Sequence, residues 1–115
     1  MIKFYRTDHK VLSEITEYED NMWVCMTKPT VDETKLIAED FEIDLADVRA
    51  ALDDEESSRV EVEDGYTLIL VDIPSIEMRN EREAYTTIPL GIILVKDILI
   101  VCWQNVALRL FVLSM

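Results

Sequence analysis

The chain has 115 residues and a mass of 13.4 kDa, the size of one domain. Half of its residues are hydrophobic, so it is not a disordered acidic tail, although 24 acids against 11 bases give a net charge of −13. A pI near 4.3 argues against nucleic acid and anionic membrane surfaces as partners, since both need Lys or Arg to displace counterions.

The opening segment from Met1 to Thr7 carries Ile2, Phe4 and Tyr5 and reads as a strand. Val11 to Ile15 fits its short hairpin partner. His9 lies between Asp8 and Lys10 in the intervening turn. Asn21 to Thr27 mixes apolar, β-branched and aromatic residues as strands do, and Pro29 stops it. Two helical signals follow. Thr30-Val-Asp-Glu33 is a capping box, and Val31, Thr34, Ile37, Ala38 and Phe41 recur at helical spacing. Asp44-Leu-Ala-Asp47 opens a second helix whose apolar stripe is Leu45, Val48 and Leu52. Asp53-Asp-Glu-Glu-Ser-Ser58 holds no apolar residue and must reach the surface.

Strands resume after this loop. Arg59-Val-Glu-Val-Glu63 alternates with a period of two, and Asp64-Gly65 is a hairpin turn. Tyr66 to Pro74 is almost continuously apolar and reads as a central strand. Residues 76–84 are rich in Glu, Arg and Asn and are expected to form a polar loop. Ile88 to Val95 and Ile98 to Trp103 flank Lys96-Asp97, a two-residue turn. The pattern β-β-β-α-α-β-β-β-β predicts an α+β fold, a mixed sheet with helices on at least one face.

Charge is concentrated along this pattern. Residues 1–31 hold five acids and four bases, and residues 65–115 hold the same numbers. Residues 32–64 hold fourteen acids and three bases, net −11. Within that third, Asp53, Asp54, Glu55 and Glu56 are the candidate ligands for a hard cation such as Mg²⁺ or Ca²⁺. Asp47, on the helix just before, can join them. An EF-hand is excluded because the alternating acids, central Gly and closing Glu are out of register. Adjacent acids on an open loop bind weakly and without fixed geometry. Asp32, Glu33, Glu39 and Asp40 read as the outer face of the first helix.

Small counts limit other chemistry. One histidine leaves no His-clustered metal site and little for a triad. Two glycines, Gly65 and Gly91, are too few for a P-loop. The expectation is therefore a protein that is not an enzyme. Cys25 and Cys102 lie in apolar segments without a CxxC pattern and read as reduced, buried thiols. Trp23 and Trp103 read as core. The N-terminus resembles no signal peptide, which points to the cytosol. Residues 92–113 are strongly apolar, but Lys96, Asp97, Gln104, Asn105 and Arg109 interrupt them, so no membrane span is expected.

A set of residues in order carries a family likeness. Trp23, Pro29-Thr30 and Glu33 come first; Leu52-Asp53, Glu55-Glu56 and Arg59-Val-Glu61 follow. Thr87-Ile-Pro-Leu-Gly-Ile-Ile-Leu94 and Leu99-Ile-Val101 complete it. Over residues 1–104 the chain resembles the N-terminal cytoplasmic domain of CorA-type magnesium transporters, most closely the branch common in low-GC Gram-positive bacteria. The resemblance implies an α/β/α-sandwich-like domain on the cytoplasmic side of a pentameric transporter of Mg²⁺, often also of Co²⁺ or Ni²⁺. It implies copies of the same domain as partners, no tightly bound cofactor and weak Mg²⁺ binding. In that family a long helix leads from this domain to two membrane helices joined by a Gly-Met-Asn loop. This sequence has no Gly-Met-Asn and no membrane span, so transport by this chain alone is not expected; it is expected to be either a single domain of the transporter or a truncated gene product. The family often has an acidic ligand for regulatory Mg²⁺ at the position of Ala50; here that ligand is missing, and Asp47 or Asp53 would have to replace it. The tail, residues 105–115, lacks the charged character of the family's long helix. A second expectation, from charge alone, is a stand-alone acidic module that binds a basic partner through residues 32–64.

Overall fold

A computed structural model describes residues 1–53 and 55–104, with the side chains of residues 75–79 and 84–86 outside the description. Seven strands form one mixed sheet: β1 (Ile2–Asp8), β2 (Val11–Ile15), β3 (Met22–Thr27), β4 (Arg59–Glu63), β5 (Tyr66–Arg79), β6 (Arg82–Val95) and β7 (Ile98–Trp103). Their spatial order is β2-β1-β3-β7-β6-β5-β4. The β3–β7 pair is parallel and places Val24 beside Ile100. The segment between β3 and β4 holds helix α1 (Val31–Asp40), helix α2 (Leu45–Val48) and a 3₁₀ turn at Ala50–Leu52.

Local chemistry explains where the elements start and turn. The Thr30 hydroxyl accepts from the Glu33 N–H at 3.1 Å, and Glu33 Oε1 accepts from the Thr30 N–H at 2.9 Å. The capping box thus satisfies two amides that a helix start leaves open. Asp44 caps α2 by accepting from the Ala46 N–H at 2.9 Å. The helix lasts four residues and then tightens, so the expected apolar stripe through Leu52 spans a helix and a 3₁₀ turn. Gly65 has φ +92° in the β4–β5 turn, and Lys96 has φ +54° in the β6–β7 turn. His9 sits in the β1–β2 turn, its Nε2 3.5 Å from Asp8.

One expectation is corrected. Residues 76–84 are not a loop: β5 and β6 run past Pro74 and pair as far as Arg79 opposite Arg82, leaving only Asn80 and Glu81 to turn. Ile76-Glu-Met-Arg79 alternates with the period of a strand, and its polar composition masked that signal.

The side-chain period of two sorts the sheet into two faces. Met22, Val24, Met26, Leu68, Leu70, Ile93, Val95, Ile100 and Cys102 point to one face and are buried. Ile37 and Ala38 of α1, Val48 of α2, and Ala50 and Ala51 close over them in one cluster. Gly91 suits a close approach: a Cβ on it would lie 3.1 Å from the Ala51 Cβ, tighter than most carbon contacts, so Ala51 would have to give by a few tenths of an ångström. The other face carries a second cluster of Tyr5, Cys25, Val101 and Trp103, flanked by Trp23, Ile73, Ile88, Leu90 and Leu99. The described helices lie on the first face alone. Cys25 and Cys102 are both buried and reduced, and they point to opposite faces. No described helix is long and apolar enough to cross a membrane.

Candidate functional site

The acidic third of the sequence supplies the helices over one face of the sheet and, with β4, its last strand. Asp47 projects from α2 toward β4, the last strand of the sheet. Glu61 and Glu63 of β4 face it because they occupy alternate positions on the helix-covered side, opposite Leu68 and Tyr66 of β5. Carboxylate oxygens of Asp47, Glu61 and Glu63 all lie within 4.8 Å of one another. The Tyr66 hydroxyl donates to Asp47 Oδ2 at 2.5 Å and accepts from the Asp44 N–H at 3.4 Å. Burial and the bond to Asp47 push the Tyr66 hydroxyl up to about 12.

Arg59 anchors the same strand to the loop before it. Its Nε donates to Glu61 Oε1 at 2.6 Å and its Nη1 to Glu56 Oε2 at 2.7 Å. Both acids raise the guanidinium above its usual range, Glu61 more than Glu56. Three carboxylates converging on one point offer hard oxygen donors, the ligand type that Mg²⁺ and Ca²⁺ take. One guanidinium already neutralises part of that charge.

The residues expected from the sequence are distributed as follows. Asp47 enters the three-carboxylate group. Asp53 instead folds the loop on itself, its Oδ1 accepting from the Glu55 N–H at 2.9 Å. Glu55 is exposed, Glu56 is held by Arg59, and Asp54 lies outside the described residues. Ala50 is 3% exposed within the packed layer under the helices. A carboxylate at position 50 would start among apolar side chains, where an unpaired charge is costly, and alanine fits that setting. Glu61 and Glu63 were not singled out from the sequence as ligands. Their alternation placed them on one face, but only the β4–β5 pairing brings that face under Asp47.

A second acidic feature lies at the end of the sheet where the turns gather. A cleft of about 380 Å³ is lined by Asp20, Asp40, Glu42, Asp64 and Asp97 with one Lys96. Tyr18 meets Phe4 edge to face and Phe41 at a tilt nearby, and its hydroxyl donates to Asp40 at 2.5 Å. That bond partly offsets the cost of an acid at the negative end of α1.

Comparison with known proteins places this architecture. No curated protein matches the sequence significantly. Among solved structures, the soluble domain of CorA from Methanocaldococcus jannaschii aligns with a TM-score of 0.74 at 20% identity, over 100% of this chain and 47% of that one. The complete structure of the CorA magnesium transporter from the same organism aligns at 0.72 and 18% identity, over 99% and 36%. The ZntB cytoplasmic domain from Vibrio parahaemolyticus aligns at 0.68 and 14% identity, over 97% and 47%. The chain thus spans less than half the length of each of these three, and the likeness is one of fold. The family model described as "CorA-like Mg2+ transporter protein" matches residues 18–108, most of the sequence. The chain belongs to the CorA-like Mg²⁺ transporter family.

Proposed function

We propose that this chain is the cytoplasmic regulatory domain of a CorA-like divalent-cation transporter, with Mg²⁺ as cargo and Co²⁺ or Ni²⁺ as further candidates. The observation that supports this reading is the family match over residues 18–108 on a chain whose whole fold aligns with a CorA soluble domain. The role follows from what the chain contributes: a compact sheet-and-helix body with its acids gathered on one side, and no membrane helix among the described residues. Conduction is assigned to polypeptide outside this chain. The domain stands at the cytoplasmic face of the membrane and assembles with copies of itself, as a pentamer in the full transporter.

In this reading the acidic third senses the ion and catalyses nothing. Asp47 with Glu61 and Glu63, and the neighbouring loop of Asp53 to Glu56, attract Mg²⁺ weakly and exchange it freely. No tightly held cofactor is required.

The test is the reading frame that carries this sequence. Its codons beyond residue 115 are expected to encode two apolar helices joined by a Gly-Met-Asn loop. Cells that express the whole frame are expected to take up Mg²⁺ faster than cells without it. A frame that ends without such a segment, or one whose product moves no divalent cation, overturns the reading.

A further inference from the structure

Strands β5 and β6 outrun their neighbours. β4 pairs with β5 no further than Arg59 opposite Leu70, and β7 pairs with β6 no further than Cys102 opposite Gly91. From Asp72 opposite Pro89 to Arg79 opposite Arg82 the two strands continue as a two-stranded arm. Its eight pairs, at about 3.3 Å per residue, reach roughly 26 Å. Among the described residues neither edge of the arm has a strand partner. Such a ribbon ordinarily presents unpaired amides and carbonyls along both sides. Two of the chain's three prolines lie in it, Pro74 on β5 and Pro89 on β6.

The turn sets the phase of the backbone. Asn80 and Glu81 have φ +51° and +62°, the left-handed pair of a two-residue hairpin turn. Arg79 and Arg82 close that turn, so their amides and carbonyls point at each other. Along an antiparallel ribbon the groups then point inward and outward at alternate residues. Pro74 stands five residues before Arg79 and Pro89 seven after Arg82. Both steps are odd, so both proline nitrogens point outward. The inner ladder loses no bond, and each edge loses a donor. Placement adds to this. Pro89 takes the first outward position beyond Gly91, where the ladder to β7 would have to continue. Pro74 is exposed and leaves Ile76 and Met78 as the last outward amides of its edge. On its near side the segment entering β4 is already present, with the Ser58 hydroxyl donating to Asp72 Oδ2 at 3.3 Å.

We propose that Pro74 and Pro89 keep this arm two-stranded, ending the flanking ladders and denying both edges to the arm of a second copy of the chain. The arm needs such a device. Residues 72–90 hold four acids and two bases, so charge opposes their self-pairing far less than it does in the acidic third. Tyr85-Thr-Thr-Ile88 is an uncharged run of strong strand formers, the kind of segment that pairs with its own copies when an edge is open. Proline blocks the backbone whatever the partner's charge, because the missing N–H cannot be restored by any side chain opposite.

This inference stands apart from the transporter assignment and can fail alone. The test is the mass of the chain against concentration by sedimentation equilibrium, with amide hydrogen exchange on the same samples. Pro74→Thr restores an unbroken row of outward amides from Asp72 to Met78. Its mass is expected to climb above that of the wild-type chain, towards a doubling, as concentration rises, with protection gained at Ile76 and Met78. Adding Ile76→Pro moves the block by one outward position and is expected to return the mass to the wild-type value. Adding Pro89→Thr to Pro74→Thr instead opens the second edge and is expected to carry association past a doubling. The wild-type chain gives a reading that needs no variant. Its amides at Ile73, Ser75 and Glu77 are expected to be protected, and those at Ile76, Met78 and Tyr85 to exchange freely at every concentration. Folded variants that keep the wild-type mass, association that leaves Ile76 and Met78 unprotected, or protection of the outward amides in the wild-type chain would each overturn the proposal.

Discussion

The two faces of the sheet are equally apolar in sequence and unlike in structure. On the face under α1 and α2, Met22, Val24, Met26, Leu68 and Ile100 are entirely buried. On the other face burial is complete only near Trp103, and toward β4 it falls away, with Leu94 44% and Val62 80% exposed. The difference shows that alternation specifies which residues share a face, while burial depends on what lies over it. Stability should therefore reside on the helix side, and substitutions can divide the two.

The largest effect is expected at the centre of the helix-covered face. Leu68→Ala should cost about 2–5 kcal/mol, the range for a fully buried leucine, whereas Val62→Ala should change stability by less than about 0.5 kcal/mol. Chemical denaturation of the two variants measures this directly, and equal losses would erase the distinction between the faces. Gly91→Val comes next, at about 1–3 kcal/mol, because the added carbons meet Ala51 in a layer without room.

Glu33→Gln probes how α1 is held over that layer, with an expected loss of about 1 kcal/mol. The Thr30 amide that Glu33 accepts from, with the N-terminal amine beside it, holds its carboxylate below the usual range. A lowered value means that the native state prefers the ionised form. Its contribution is then present above the ordinary Glu pKa and lost as pH falls through the native one. The variant's deficit should accordingly shrink in acid, as denaturation at pH 7 and at low pH will show. The smallest effect is a null one. Burial pushes the Cys102 thiol up to about 12, and Cys25 is buried on the opposite face. Neither should react with a thiol reagent until the protein unfolds. Rapid labelling of Cys102 would mean that the helix layer opens.

Much of this contrast was legible in the sequence. Thr30 and Glu33 announced α1, Asp64-Gly65 and Lys96-Asp97 announced their turns, and the apolar runs at Tyr66 and Ile98 announced central strands. These signals are local, and local geometry answers to them. The extension of β5 and β6 was hidden because composition drowned the alternation from Ile76 to Arg79. The carboxylate group was hidden for a different reason. Asp47 and Glu63 are far apart in the chain and meet only because β4 folds back along β5 beneath α2, which no local pattern encodes. Ala50 teaches the converse. A likeness to a family marks it as a ligand position, while in this chain it is 3% exposed among apolar side chains, where an unpaired charge is costly.

The account rests on cations answering the acids gathered on the helix-covered side. Its most direct test is thermal unfolding of this chain in 10 mM Mg²⁺ against NaCl of matched ionic strength. A site with a Kd of about 1 mM would add roughly 1.4 kcal/mol, or about 5–10 °C in midpoint. Replacing Asp47 and Glu63 together by Asn and Gln should remove most of that difference. Coincident curves for the wild-type chain in the two salts would reduce the acidic third to ordinary screening and contradict the account.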